Sequence, residues 1–86
     1  FYMIHYKKVL PEYFEDLASG KKKFELRLAD WECKVGDVLI LREYSGGGYT
    51  GRELRKTVSY VLKTKDLDFF SSQELEKFGY QILSLD

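Results

Sequence analysis

Residues 19–27 read S-G-K-K-K-F-E-L-R, and this stretch predicts where a helix ends and a strand begins. Gly20 is an expected helix terminator, because glycine adopts the left-handed backbone conformation without a side-chain clash. From Phe24 to Leu28, apolar residues alternate with charged ones. A period of two is typical of a strand with one buried and one polar face. We therefore expect the apolar side chains of this strand to lie in the core.

The segment before this stretch predicts a strand followed by a helix. Residues 3–7 alternate as a short first strand. Pro11 is tolerated in a first helical turn, because the N–H that proline lacks would have no partner there. Phe14 and Leu17 fall on one helical face. We expect a helix over residues 11–19 that packs these two side chains against the strands.

Three more strands are predicted beyond this point. Residues 35–37 read V-G-D, a turn into the apolar run 38–41, which suggests a strand covered on both faces. Residues 45–48 read S-G-G-G and break the chain as a hairpin loop. The chain then returns as a strand over residues 53–62, and residues 80–85 form the last strand.

A second short helix is predicted before the last strand. Ser71 and Glu74 have the spacing of a capping box, and Gly79 ends the helix. Five or six strands with two short helices, one after the first strand and one before the last, predict an α+β fold. We expect a single domain over residues 1–86 that forms a small closed or partly open β-barrel. The strand side chains expected to be largely buried are Phe24, Leu26, Leu28, Val38, Ile40, Val58 and Ile82.

The composition is that of an ordinary folded domain without a long-range charge. Of the 86 residues, 44% are hydrophobic and 33% are charged, and 14 basic residues balance 14 acidic ones. The chain as a whole therefore has no general attraction to nucleic acid or membrane, so an anionic partner must be met by a local patch. No apolar run approaches the roughly 20 residues of a membrane span. We expect a cytoplasmic protein without a membrane partner.

Metal and nucleophile chemistry have little support in the sequence. Cys33 and His5 are the only cysteine and the only histidine. A single cysteine gives neither a disulfide framework nor zinc-ligand spacing, and a single histidine gives no histidine pair. We expect no metal site and no cofactor.

The residues predicted to bind a ligand are Lys22, Glu25 and Arg27. Residues two apart on a strand share a face, so Glu25 and Arg27 project together, and Lys22 enters the strand beside them. Arg27 offers a planar fork of donors for a phosphate, and Glu25 can accept from an exocyclic amino group. Lys22 supplies a point charge or, if desolvated, a base. A nucleotide suits this set; the alternative is a solvated face with ion pairs worth roughly 0–1 kcal/mol each.

Two residues of the predicted hairpin extend this hypothesis. Tyr49 and Arg52 are expected to overhang the same cleft, with Tyr49 stacking on a base. The alternative for Tyr49 is a plain loop anchor, and for Arg52 a solvated strand face.

Gly20-x-Lys22-x-x-Glu25-x-Arg27 matches the G-x-K-x-x-E-x-R signature of the ASCH domains, named for homology to an activating signal cointegrator. The stretches L-P-E-Y-F, F-E-L-R, V-G-D-V-L-I-L-R-E-Y and Y-T-G-R-E-L resemble most closely the short bacterial and phage ASCH-like proteins of unknown function. The resemblance covers nearly the whole chain. It implies a PUA-like barrel, of a superfamily known for binding RNA. The implied site is a cleft between the first helix and the barrel, with Lys22, Glu25 and Arg27 at the signature positions.

Three classes of function remain open. The first is a module that binds RNA or a nucleotide. The second is a small amidohydrolase of a modified nucleoside such as acetylated cytidine, because some small ASCH proteins use the signature lysine, a nearby threonine and a later carboxylate. Lys22 matches the lysine, but Glu25 stands where the threonine is expected, and this departure weakens the hypothesis. The candidates for the later carboxylate are Glu43, Glu53 and Glu74. The third class is a protein-interaction module. No pattern indicates the oligomeric state.

Overall fold

The computed structural model describes residues 1–66 and 73–86, which form an α+β fold of five strands and short helices. The elements in chain order are β1 (Ile4–Val9), α1 (Pro11–Ala18), β2 (Phe24–Leu28), β3 (Val38–Ser45), β4 (Gly48–Lys63), a 3-10 turn (Thr64–Asp66), α2 (Gln73–Lys77) and β5 (Tyr80–Leu85). The predicted class is confirmed, as are a helix after the first strand and a helix before the last.

The strands form one mixed sheet in the order β1-β3-β4-β5-β2. β1 pairs with β3 in parallel, and the other neighbours are antiparallel. The 16-residue strand β4 pairs with β3 along its first part and with β5 along its last part. The sheet therefore has two halves that share one long strand.

The predicted barrel requires a correction, because the sheet is not closed. β1 and β2 are its two edges, and no strand pairing joins them within residues 1–66 and 73–86. Within these same ranges, one side-chain bond crosses between the edges: Nη2 of Arg27 donates to the carbonyl oxygen of Lys8 at 2.6 Å. The sheet thus curls far enough to bring its edges within reach of an arginine and leaves an opening between them.

Helix α1 begins and ends close to the predicted positions. Pro11 is its first residue, and the backbone leaves the helix after Ala18, one residue earlier than expected. Gly20 has a φ of +82°, the left-handed conformation that the sequence predicts. Phe14 and Leu17 are buried, as expected, and belong to the same core cluster as the strand residues.

The core lies between α1 and the inner face of the sheet. The buried cluster consists of Val9, Phe14, Leu17, Cys33, Leu39, Leu41, Val58, Leu83 and Leu85, with Trp31, Leu54 and Val61 packed against it. Of the side chains predicted to be buried, Val38 and Val58 are confirmed. Ile40 and Ile82 are only half-buried, because the inner positions of their strands fall on the odd-numbered neighbours.

Strand β2 has the opposite orientation to the predicted one. Phe24, Leu26 and Leu28 are 48%, 57% and 41% exposed, whereas Glu25 is 4% exposed. Leu26 lies directly opposite Ile82 of β5, which lies opposite Leu62 of β4. Side chains directly opposite each other share a face, so these apolar residues form a row on the outer side of the sheet. The prediction that this apolar face is buried is therefore wrong.

The second helix ends at a close backbone contact. Gly79 has a φ of +66°, and a Cβ added there would lie 2.6 Å from the amide nitrogen of Lys65. Only glycine satisfies both conditions, so the predicted terminator is confirmed. The capping box predicted to open this helix involves Ser71, which lies outside the described residues.

The two described α-helices are 8 and 5 residues long, and neither has the length or apolar character that crossing a membrane requires.

Candidate functional site

A cleft of about 500 Å³ opens between α1 and the two edges of the sheet. Its charged residues are Lys8 from β1, Lys22 from the connection after α1, and Glu25 and Arg27 from β2. The three predicted signature residues therefore lie together in one depression beside the first helix. They reach it because Gly20 ends α1 and turns the chain directly into the edge strand.

Glu25 is the centre of the cleft's hydrogen-bond network. Its Oε1 accepts from Nζ of Lys22 at 3.1 Å, and its Oε2 accepts from Nε of Arg27 at 2.8 Å. The Glu25 side chain is buried, whereas the side chains of Lys22 and Arg27 are partly exposed. A single buried carboxylate thus holds two cations at the mouth of the cleft.

Both cations are fixed by a second bond and keep donors in reserve. Lys22 also donates to the carbonyl oxygen of Phe24 at 2.8 Å, and Arg27 donates to that of Lys8. An ammonium has three N–H donors and a guanidinium has five. The bonds within the described residues use two on each side chain, which leaves about one donor on Lys22 and three on Arg27 for a ligand.

The rest of the cleft wall is apolar and aromatic. Val9, Leu10 and Tyr13 come from the end of β1 and the start of α1, and Phe24 and Leu26 come from β2. β2 is an edge strand, so both of its faces border the opening beside it. Because its apolar side chains point away from the core, they become part of the cleft wall. Nζ of Lys22 lies 4.6 Å from the centre of the Phe24 ring, a cation–π distance that places charge and ring side by side.

Glu25 is the carboxylate that lines the cleft among the described residues. Glu43 is buried elsewhere and accepts from the hydroxyl of Thr50 at 2.7 Å. Glu53 pairs with Arg42 on the surface, and Glu74 lies exposed on α2. The three candidates for a later catalytic carboxylate are thus absent from the cleft lining.

Tyr49 and Arg52 line a different depression from the cleft. This second depression has a volume of about 250 Å³ and also includes Arg42, Gly51 and Glu53. Arg52 pairs with Glu15 of α1 at 2.7 Å, so its guanidinium ties the helix to β4. The structure therefore separates the five predicted site residues into a group of three in the cleft and a group of two on the hairpin.

A cluster that the sequence analysis missed joins the start of β1 to the turn before β3. The carboxylate of Asp37 accepts from the backbone amides of Met3 and Lys34, both at 3.0 Å, and bonds Nε2 of His5 at 2.9 Å. Burial raises the pKa of Asp37, but the bonds from His5, Met3 and Lys34 outweigh it and lower the pKa to about 2. We call this group the Asp37 latch.

Cys33 lies beside the latch, and its sulfur and the ligand atoms of His5 and Asp37 all lie within 4.8 Å of one another. These are residue types that bind zinc. Burial, followed by the charges of Asp37 and Glu32, raises the pKa of the Cys33 thiol to about 11. The thiol is therefore neutral near pH 7, and the Asp37 carboxylate is already bonded to three donors. His5 and Asp37 are 32 positions apart in the chain, so spacing gave no signal for this cluster.

Comparison with known proteins gives a family without an assigned activity. The family described as "Domain of unknown function (DUF3850)" matches residues 4–85. The uncharacterized 12.9 kDa protein in the GpA 3′ region of Escherichia phage P2 is 36% identical over 63 residues, which are 73% of this chain and 58% of that protein. The chain thus matches little more than half of the length of this relative.

The crystal structure of hypothetical protein PH0355 has the same fold. It superposes with a TM-score of 0.69 over 98% of both chains, at 20% sequence identity. Because the family match spans almost the whole chain, the protein belongs to the DUF3850 family.

Proposed function

We propose that the cleft between α1 and the sheet edges binds a nucleoside or nucleotide, in the form of a free ligand or part of an RNA. The observation that carries the proposal is the arrangement of Lys22 and Arg27, each held by Glu25 and each with donors directed to no other described group. Donors that are fixed before a ligand arrives lose little conformational entropy when it binds.

The charge of the lining supports an anionic ligand. Among the described residues, three cationic residues and one carboxylate line the cleft, which gives a local charge of about +2 in a chain of net charge zero. A phosphate accepts hydrogen bonds from both lysine and arginine. Because the chain as a whole is neutral, an anionic ligand needs a local cationic patch, and this cleft provides one.

The apolar wall supports a ligand with a flat ring. Tyr13 and Phe24 are about half exposed, and both line the cleft. Aromatic side chains stack on bases of any sequence, because each base has a π face. A ligand that combines a base with a phosphate meets both kinds of wall.

The resemblance to ASCH domains supports the same ligand class. Lys22, Glu25 and Arg27, the residues of the signature, are also the residues joined by ion pairs in the cleft. PUA-like domains are known for binding RNA, and the open five-stranded sheet is compatible with an unclosed form of that barrel. The resemblance and the geometry thus favour the same surface.

Hydrolysis of an acylated nucleoside is the competing function. It requires a nucleophile or activated water, a proton shuttle and donors for the developing oxyanion. Lys22 and Arg27 supply donors, and Glu25 can orient water, but Nζ of Lys22 is bonded to Glu25 and Phe24. No serine or threonine hydroxyl lines the cleft in the described part of the chain. We therefore favour binding over catalysis.

Calorimetric titration with the four ribonucleoside monophosphates tests the proposal. We expect Lys22→Met to weaken binding about tenfold or more, since a hydrogen bond to a charged group contributes roughly 1.5–3 kcal/mol. Lys21→Met is the matched control, because Lys21 is exposed, adjacent and absent from the cleft lining. Both variants change the net charge equally, so equal losses would show diffuse electrostatics and contradict a defined site.

Chromatography of acetylated cytidine incubated with the protein separates binding from catalysis. We expect no product above the background. Robust turnover that Lys22→Met and Glu25→Gln both abolish would instead make the protein an amidohydrolase.

A further inference from the structure

The outer face of β1, β3 and β4 carries tyrosines and cations that the cleft does not use. Lys8 lies directly opposite Arg42, and Tyr44 lies directly opposite Tyr49. Tyr6 precedes Lys8 by two residues and therefore shares its face. We call these five residues the tyrosine face; the inner side of the same strands carries buried residues such as Leu39 and Leu41.

The rings of the tyrosine face are accessible and supported by cations. Tyr6 is 57% exposed and Tyr49 is 53% exposed. The Arg42 guanidinium lies 4.6 Å from the centre of the Tyr6 ring and 5.3 Å from that of Tyr49. Tyr44 meets Tyr49 edge to face, with ring centres 5.2 Å apart. The neighbours of these rings limit their rotation, so little entropy is lost when a flat group stacks on them.

The tyrosine face and the cleft meet at Lys8. Nζ of Lys8 lies 4.4 Å from the centre of the Tyr44 ring, and the same residue lines the cleft. Its carbonyl oxygen accepts the bond from Arg27. Lys8 makes no ion pair within residues 1–66 and 73–86, so its charge is available to a phosphate lying between the two surfaces.

We propose that the tyrosine face extends the cleft into a binding surface for single-stranded RNA, on which successive bases stack on Tyr6 and Tyr49 while Lys8 meets the backbone. This inference rests on the proposed function, because the cleft supplies one end of the surface. Because the Arg42 guanidinium lies 4.6 Å from the centre of the Tyr6 ring and 5.3 Å from that of Tyr49, the two ring centres are no more than about 10 Å apart. Two stacked bases together with the cleft at one end match the low end of the range for single-strand binding domains, about four nucleotides.

The exposed aromatic rings of the tyrosine face favour single-stranded RNA over a duplex. Aromatic rings stack on bases that are free of their own stack, and a duplex does not present such bases. The local cations are also few, because Glu53 pairs with Arg42 at 3.0 Å. Duplex binding, which depends on many phosphate contacts, should therefore be weak.

Fluorescence anisotropy with a labelled, unstructured eight-nucleotide RNA tests this inference alongside the four monophosphates. We expect the octamer to bind at least tenfold more tightly than the best monophosphate. The double variant Tyr6→Ala/Tyr49→Ala should lose about tenfold or more of octamer affinity and retain monophosphate affinity, because stacked bases contribute strongly to single-strand binding. Tyr60→Ala is the matched control, since Tyr60 is 60% exposed on β4 but belongs to the half of the sheet that pairs with β5.

The outcomes separate the two proposals. If monophosphates bind and the octamer binds no more tightly, or if the tyrosine variants leave octamer affinity unchanged, the tyrosine face is not an RNA surface and a protein partner becomes the alternative. Equal losses for Tyr60→Ala and the double variant would overturn it as well. If the octamer binds through the tyrosines while no monophosphate binds the cleft, the continuous surface inferred here is overturned together with the proposed function.

Discussion

Glu25 and Asp37 are both buried carboxylates, and they differ in what donates to them. Asp37 accepts from two backbone amides and a histidine, so its partners are parts of the fold itself. Glu25 accepts from the side chains of Lys22 and Arg27, both of which are partly exposed at an open cleft. A carboxylate that accepts from backbone amides stabilises the fold. A carboxylate that accepts from exposed cations instead positions the donors of those cations for a ligand. Removing the Asp37 carboxylate should therefore lower the free energy of unfolding, and removing the Glu25 carboxylate should lower the affinity for a ligand.

The largest effect should come from removing the Asp37 carboxylate. Asp37→Ala leaves two partly buried backbone N–H groups without an acceptor, and each unpaired group costs roughly 1–3 kcal/mol. We expect the free energy of unfolding to fall by about 3 kcal/mol in urea denaturation, summing over two such groups. Asp30→Ala, at an exposed position, is the control. A change of less than about 0.5 kcal/mol in Asp37→Ala, the size of an ordinary surface substitution, would show that the latch does not hold the fold.

Acid should weaken the latch in the wild-type protein. The pKa of Asp37 is about 2 in the folded chain, below the ordinary value of 3.8 for an aspartate, so the folded chain prefers the ionised carboxylate. The resulting stabilisation is fully present above about pH 4 and is lost as the pH falls towards 2. Between pH 5 and pH 2, the midpoint temperature of thermal unfolding should therefore fall more steeply for the wild type than for Asp37→Ala. Parallel curves would assign the acid sensitivity to other carboxylates.

Glu25→Gln should have a smaller effect on stability and a specific effect on binding. The substitution raises the net charge of the cleft, so simple attraction predicts tighter binding of a phosphate. If Glu25 positions Lys22 and Arg27, binding of monophosphates should instead weaken, by about tenfold, since bonds to charged groups are involved. Glu12→Gln on the exposed side of α1 makes the same change in charge and serves as the control. Tighter binding in Glu25→Gln alone would reduce the role of this carboxylate to charge balance.

The sequence predicted most of the elements because their signals are local. Pro11 and Gly20 mark the ends of α1 by backbone properties that do not depend on the rest of the chain. The alternation from Phe24 to Leu28 also identified a strand correctly. Lys22, Glu25 and Arg27 lie together in the structure, as their spacing predicted. They do so because Lys22 lies on the turn after α1, and Glu25 and Arg27 lie on the edge strand that follows it.

The orientation of β2 could not be derived from its own alternation. A period of two shows that the two faces differ, and the assumption that the apolar face is buried selects between them. Here the inner side holds a carboxylate that two cations satisfy, while Leu26 joins an apolar row with Ile82 on the outer side. The cost of burying Glu25 is offset by its ion pairs, which the sequence alone does not locate in space.

The Asp37 latch and the separation of Tyr49 from the cleft were missed for a related reason. Both depend on which strands become neighbours, and the order β1-β3-β4-β5-β2 places β1 beside β3 and far from β2 in the sheet. That order puts His5 next to Asp37, and it places Tyr49 beside Tyr44 of β3 instead of beside β2. Neither strand order nor curvature follows from local patterns.

The most direct test of the cleft is an NMR titration of ¹⁵N-labelled protein with the four ribonucleoside monophosphates. We predict saturable shifts for the backbone amides of Lys22 and Glu25 and for Nε of Arg27, which bonds Glu25 at 2.8 Å. The amides of Met3 and Lys34, which bond Asp37, should stay unchanged in the same spectra. Absence of shifts at Lys22, Glu25 and Arg27 up to millimolar ligand, or shifts of equal size at the latch, would contradict a nucleotide site in this cleft.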